Sequence, residues 1–577
     1  MKQIKISHAL TGLLSLALFF FGAVVFSPPS RAAATFDTLA DIPVQHSGRI
    51  KPFETFAREV MLYVTGKRRW EGAGATEFVW RWIAEPEKWN REPLIRVETP
   101  ELQKELDLMV INHRVSPEIL LSHQPFLEKV EPALMKRQAK ETLTPVEKKR
   151  LEMYEKALTF QQVGQGELPG WLAHPEKTSA TWLSFKQMVS EEGQPILHAF
   201  FPPQEMAGIR ESLNALFAAL RTGPQGESGQ TAALHFAKAL QEAFVSRGIV
   251  LHEPVLKMER IYNHLQPFSW AWKIYLAAAF LFIAALIAGG LGKNAVWASW
   301  PATGLFAAGF VLHSYGFYLR CMIAGRPPVS NMYESVVWVS WGIVLFALVL
   351  SFFYRAGILR LCAALVATFA LAVAQSFPAL LDPFISPLVP VLRSNLWLTV
   401  HVLTITLSYG AFALAWGLGH AAVLCFAWAP SRQQTAEMLT LFLYRATQIG
   451  VVLLAAGTVL GGVWANYSWG RFWGWDPKET WALIALLGYL VVLHGRFGGW
   501  LGPFGFSMGV AIAFLGVVMA WYGVNYVLAA GLHSYGFGGG GVQYVLAVVA
   551  ADLLLLGSAA WRYKRHAGSP RNFAAKT

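Results

Sequence analysis

From Gln266 onward the sequence is a succession of apolar runs, each long enough to cross roughly 30 Å of hydrocarbon as a helix. A backbone in lipid must satisfy its own hydrogen bonds, so such runs are read as helical spans. They fall near residues 270 to 291, 295 to 319, 333 to 354, 358 to 377, 395 to 428, 444 to 466, 479 to 496, 503 to 530 and 541 to 561. The expected fold class is an all-α polytopic membrane protein with about nine to ten transmembrane helices and a mostly helical N-terminal extracytoplasmic domain. Hydrophobic residues make up 54% of the chain and charged ones 15%, which excludes an ordinary soluble enzyme. The formal charge of +12 does not point to nucleic acid, since no basic cluster has nucleic-acid motif spacing and many Lys and Arg flank spans. Cys321, Cys362 and Cys425 lie in or beside apolar runs without CxxC or CxxCH spacing. The chain is therefore neither a thiol oxidoreductase nor itself a c-type cytochrome.

Residues 1–34 carry Lys2 and Lys5, an apolar run from about Ala9 to Phe26, and SPPSRAAA, the pattern of a signal peptide or a retained anchor. Residues 35–268 turn polar, and PVEKKRLEMYEKALTFQQV and QTAALHFAKALQEAFVSRG have amphipathic helical spacing. This is read as an extracytoplasmic helical domain of unassigned role. Within it, HSGRIKPFETFAREV opens on a turn-like Ser-Gly and is read as structural. Residues 269–566 form the membrane domain and 567–577 a tail. Lys293, Arg355, Arg432, Arg445, Arg496 and WRYKRH mark the cytoplasmic connections by the positive-inside rule. The 378 to 394 connection, the loop at Trp469 and HSYGFGGGG then lie outside. Arg320, Arg326, Arg393, Arg471 and Lys478 also fall outside, where topology does not call for them, and are candidates for holding carboxylates.

The loop WGRFWGWDPKETW crowds four tryptophans, glycines and two cations between spans. Asp476 suits a helix N-cap, Pro477 the first turn and Glu479 the capping-box position, so a helix begins there. Trp469, Trp473, Trp475 and Trp481 offer flat faces and indole N–H donors beside Arg471 and Lys478, a combination suited to a large, planar, anionic ligand. An aromatic belt would instead spread its rings over many span ends. His401 lies one or two turns into a span from its outer end, and His533 just past the outer end of another. Two neutral imidazoles on facing helices beneath an aromatic shelf meet the needs of a six-coordinate haem iron, whereas zinc asks for more soft or anionic ligands. His494 ends the helix capped by Asp476, about 18 residues and roughly 27 Å deeper, so one haem cannot touch both ends, and if His494 binds haem it belongs to a second, inner site. His420 reaches a similar depth and is the alternative local partner of His494, His313 lies in an outer half where it could assist the outer site, and packing is the favoured role of both.

The tryptophan-rich loop resembles the "WWD" signature of haem-handling proteins of cytochrome c biogenesis. From about Ser299 to His566 the chain is similar to the CcsA (ResC) subunit of the system II cytochrome c synthase, in RPPVSNMYES, NLWLTVHVLTITLSYGAF, the loop, His494 and GLHSYGF. The resemblance implies His401 and His533 as the outer haem-ligating histidines and His494 as the intramembrane one. Trp469, Trp473, Trp475, Asp476, Arg471 and Arg393 would surround haem b, which is moved outward and joined to the CxxCH cysteines of an apocytochrome c. A bacterial inner-membrane location, with the loop and N-terminal domain on the periplasmic side, goes with it. No CcsB (ResB) half is recognised in the chain, so a separate CcsB-like membrane subunit is implied. The alternatives are a system I CcmC- or CcmF-type protein, which shares the loop, and a secondary transporter, for which no internal repeat is seen.

Overall fold

The computed structural model describes residues 31–106, 109–139, 141–173, 181–189, 201–223, 227–249, 251–354, 356–378, 380–387, 395–528 and 541–567. Contacts divide the chain into two units, Met1–Arg260 and Ile261–Thr577.

In the first unit, helices surround a small sheet. Strands β1 (Pro43–His46) and β2 (Arg49–Pro52) form a hairpin. Ser47 and Gly48 at its turn both have positive φ, 51° and 78°, as a two-residue hairpin turn requires. Strands β3 (Ile95–Arg96) and β4 (Arg114–Val115) pair separately, while β5 (Gly170–Leu172) and β6 (Leu183–Ser184) complete a four-stranded sheet of order β2-β1-β5-β6. The core is aromatic: Trp82 stacks on Phe160 at 4.3 Å and Trp171 on Phe185 at 4.2 Å. The HSGRIKPFETFAREV stretch is the hairpin followed by helix Phe53–Thr65, and its charges are paired internally. Arg49 holds Glu259 through two 2.7 Å bonds, and Lys51 holds Glu59 at 2.5 Å. Its expected structural role follows from those pairs.

The second unit is a helical bundle: α1 (Pro267–Gly290), α2 (Val296–Ala324), α3 (Met332–Tyr354), α4 (Gly357–Ser376), α5 (Asn395–Trp428), α6 (Gln433–Trp469), α7 (Pro477–Phe497), α8 (Pro503–Val518) and α9 (Val542–Ala567). Among the described residues, eight helices are long and apolar enough to cross a membrane. The ninth, α2, is 29 residues long and packs along α1; Ser299, Thr303, His313, Ser314 and Arg320 dilute its apolar character. The chain is thus an all-α multi-pass membrane protein. Helix α6 starts at Gln433 rather than near 444, because Ala436, Leu439, Thr440, Phe442 and Leu443 already form a buried stripe at helical spacing. Helix α8 continues into a π-helix, Met519–Leu528, where one regular span was expected.

Helices α3 and α5 cross with their backbones nearly touching. A methyl group on Gly410 would lie 3.0 Å from Val339 O and 3.2 Å from the Gly342 backbone, so any larger residue would push the two helices apart by a few tenths of an ångström.

Candidate functional site

A cavity opens between α3, α5, α6, the start of α7 and the π-helix. His401 of α5 lines it, and a backbone carbonyl of α6 orients the ring: Nδ1 lies 2.7 Å from Gly457 O. A carbonyl only accepts, so Nδ1 carries the hydrogen and donates it, which makes Nε2 the basic nitrogen of the ring. Metal-binding histidines are oriented in this way. Glycine makes the room, since a methyl group on Gly461 would sit 2.5 Å from His401 Cε1. Trp464 lies nearly parallel to the imidazole, 6.3 Å away at 12°.

The expected cap of α7 is present. Asp476 Oδ1 accepts from Lys478 N at 2.9 Å, and Glu479 Oε2 accepts from Asp476 N at 3.1 Å and Gly474 N at 2.8 Å. Sealed in this way, the loop turns Trp473 into the cavity wall. Trp469 packs edge-on behind Trp464 at 4.7 Å. Trp475 has φ 56° and is 69% exposed, with its ring edge-on to Trp473 at 5.9 Å. Of the four tryptophans singled out in this loop, one therefore faces the cavity, one supports a neighbouring ring, one projects outward, and Trp481, in α7, is not part of the cavity lining.

The cations sort in the same way. Lys478 lines the cavity and reaches Asn525 Oδ1 at 3.4 Å. Arg471 folds back over Gly474 and lies 3.5 Å from Glu479 Oε1, a charge contact rather than a hydrogen bond. Arg320 and Arg326 do hold a carboxylate, but it is the chain's own. Glu334 accepts from Arg320 Nε at 2.9 Å, Arg326 Nη1 at 3.3 Å, and Ser330 N and Oγ at 2.8 and 2.9 Å. Their remaining donors hold Pro383 O, Phe384 O and Ser386 O, tying that connection to α2 and α3. Arg326 still lines the cavity.

Three further histidines lie apart from the cavity lining. His313 is buried, with Nδ1 3.3 Å from Tyr275 OH and its ring stacked on Phe317. His420 contacts Asp552, as described below. His494 donates from Nδ1 to Leu490 O at 2.7 Å and faces away from the bundle, on the same helix as exposed Ile484, Leu487 and Val491. Arg393 and His533 lie outside the described residues. Among the described residues, no group of three or more His, Cys, Asp or Glu side chains is placed to hold a metal ion.

Sequence reading passed over Trp464, Trp521, Asn525 and Ser335. Trp521 Nε1 donates to Ser335 Oγ at 2.8 Å, and Asn525 Nδ2 donates to Trp521 O at 2.8 Å; all three residues line the cavity. The available signal was a lone amide in a long apolar run, four residues after a tryptophan.

Fold and site together define a multi-pass membrane protein with a tryptophan-walled cavity around one oriented imidazole. The family model described as "Cytochrome C assembly protein" matches residues 329–533. The chain is 30% identical over 517 residues to Protein NrfI of Wolinella succinogenes, covering 85% of this chain and 53% of that protein, and so spans about half the length of that relative. It is 35% identical over 254 residues to the cytochrome c biogenesis protein CcsA of Prochlorococcus marinus strain NATL2A, and 36% over 252 residues to that of strain MIT 9301. Each alignment covers 38% of this chain and 79% of the relative. The chain belongs to the CcsA family of cytochrome c biogenesis proteins.

Proposed function

We propose that this protein binds haem b in the cavity of His401 and presents it at the outer face of the bacterial inner membrane for thioether attachment to the CxxCH cysteines of apocytochrome c. The observation that carries the reading is the Nδ1 bond from His401 to Gly457 O, made beneath Trp464 and beside Trp473. That bond orients the ring as in metal-binding histidines and supports Nε2 as the ligand atom, and the indole faces suit a porphyrin plane. Arg326 and Lys478, both on the cavity wall, supply positive charge for its two carboxylates. His533 is the proposed second axial ligand, and the incoming CxxCH histidine displaces one of the pair. The haem vinyl groups and the substrate thiols supply the bond-forming chemistry, while this chain binds, orients and excludes water.

His494 is proposed as a ligand of an inner haem site shared with a separate CcsB-like subunit. An imidazole on the outward face of a spanning helix is costly in lipid, which supports a partner covering that face. The test of the outer site is His401→Ala in the purified protein. The haem absorption bands should weaken or disappear and the yield of cytochrome c in cells should fall; an unchanged spectrum refutes the ligand assignment.

A further inference from the structure

Two ionisable side chains face each other inside the bundle, on helices α5 and α9. His420 Nε2 lies 2.8 Å from Asp552 Oδ1, near enough for an ion pair though not aligned as a straight hydrogen bond. The other ring nitrogen, Nδ1, lies 2.9 Å from Trp416 O, and the Trp416 ring packs 4.6 Å away. The side chains are only 12% and 10% exposed. Asp552 Oδ2 is buried without a hydrogen-bond partner among the described residues. Asp552 lies ten residues into α9 from Val542, within the apolar stretch of that span. A carboxylate there is expensive and by default functional.

The proton count of this arrangement is informative. A neutral imidazole has one N–H, yet acceptors stand at both nitrogens, a carbonyl at Nδ1 and a carboxylate at Nε2. With the hydrogen on Nδ1, the Nε2 lone pair faces an ionised carboxylate. With it on Nε2, the Nδ1 lone pair faces a carbonyl. Each is repulsive at these distances, and more so away from water. One added proton, on the ring or on the carboxyl, removes the conflict. The spacing therefore fits a pair that holds one proton more than an imidazole and a carboxylate do.

Other titratable groups on the packed helices are remote or engaged. Helix α8 carries none, and on α5 the nearest are Tyr409 and Cys425. Arg562 on α9 donates to Ala427 O, with Lys564 and Arg565 beyond it. On α6, Glu437 accepts from Gln433 and Arg445 donates to Gln448, while Arg360 of α4 lies over the Phe282 ring.

We propose that His420 and Asp552 form a proton-binding site within the membrane, and that its loaded state holds α9 against α5. When the site unloads, one proton leaves to water and the pair passes from net zero to one negative charge. A lone pair then faces an acceptor, and the contact between the helices loosens. Helix α9 is otherwise seated by Leu556 and Ala559 against Val423 and Ala427, by Tyr563 stacked on Phe504 and by Arg562 on Ala427 O, and this polar contact adds to that seam. The site is independent of the haem assignment.

Infrared difference spectra of the purified full chain, recorded across a pH series in H2O and D2O, test the proposal without haem or a cytochrome. A carboxyl band and an imidazole band should titrate together; in Asp552→Asn the carboxyl band should be lost and the imidazole band should titrate at a different pH. In case single variants fail to fold, His420→Leu combined with Asp552→Leu replaces the pair by apolar groups, which buried pairs usually tolerate. That variant should stay monodisperse and lack both bands. The proposal is overturned if the carboxyl band persists in either variant, if the imidazole band of Asp552→Asn titrates as in the wild type, or if the wild type gives no coupled titration between pH 4 and pH 10.

Discussion

At His401 the orienting group is a backbone carbonyl, and the space for the ring comes from a missing methyl. Gly461 lies so close to the imidazole that a Cβ would stand 2.5 Å from Cε1 and 2.9 Å from Nδ1. Gly461→Ala should therefore turn the ring off Gly457 O while leaving α6 helical, since alanine is the better helix former. We expect the purified variant to keep its helical circular dichroism and to show weakened or shifted haem bands; bands identical to wild type would contradict the role of that hydrogen bond. Arg471 was expected to meet a ligand carboxylate, yet it turns back onto Gly474 and Glu479. Its direction depends on the path of the loop, which residue type alone does not convey.

Among the secondary-structure elements, the start of α7 is the clearest case of local chemistry deciding geometry. Asp476, Pro477 and Glu479 close a capping box, and the same Glu479 oxygen takes the Gly474 amide. Replacing Asp476 by Ala removes an N-cap worth about 1 kcal/mol. The Lys478 amide should then exchange with deuterium roughly fivefold faster, as 1 kcal/mol implies, whereas Asp476→Asn should exchange near the wild-type rate. Such features were legible beforehand because every partner lies within five residues. The spans were legible too, since a run of apolar residues in lipid has one backbone solution. The cavity wall was not: Trp521 reaches Ser335 across 186 residues from within a π-helix, and His420 meets Asp552 over a comparable gap. No periodicity in the sequence reports a bulge in a helix or a pairing at that separation.

For the protein as a whole, the two units depend on different physics, and acid should distinguish them. In the first unit, burial pushes the Glu59 carboxyl up, but the His46 imidazole 3.7 Å away and the Lys51 and Arg49 charges more than offset this, holding it below the usual carboxylate range. A depressed carboxylate contributes stability above its unfolded value of about 4.3, and that contribution is lost as pH falls through the folded value. Melting of the full chain between pH 7 and pH 3 should show the first unit's transition falling below about pH 4. Glu59→Gln leaves buried Lys51 without its partner, a loss of about 3–5 kcal/mol. Its melting temperature should be lower at pH 7 and flatter on the acid side; a wild-type acid slope would assign the sensitivity to other carboxylates. The apolar bundle of the second unit has fewer such groups, and its lipid-facing helices depend on packing and internal hydrogen bonds.

The bond between His401 and Gly457 O joins two helices, with the ring carried by α5 and the carbonyl by α6. Any shear between these rods must twist the imidazole about its own axis. If the proposed iron is held by that ring, its colour would register the twist and act as an optical strain gauge for the motion of the scaffold.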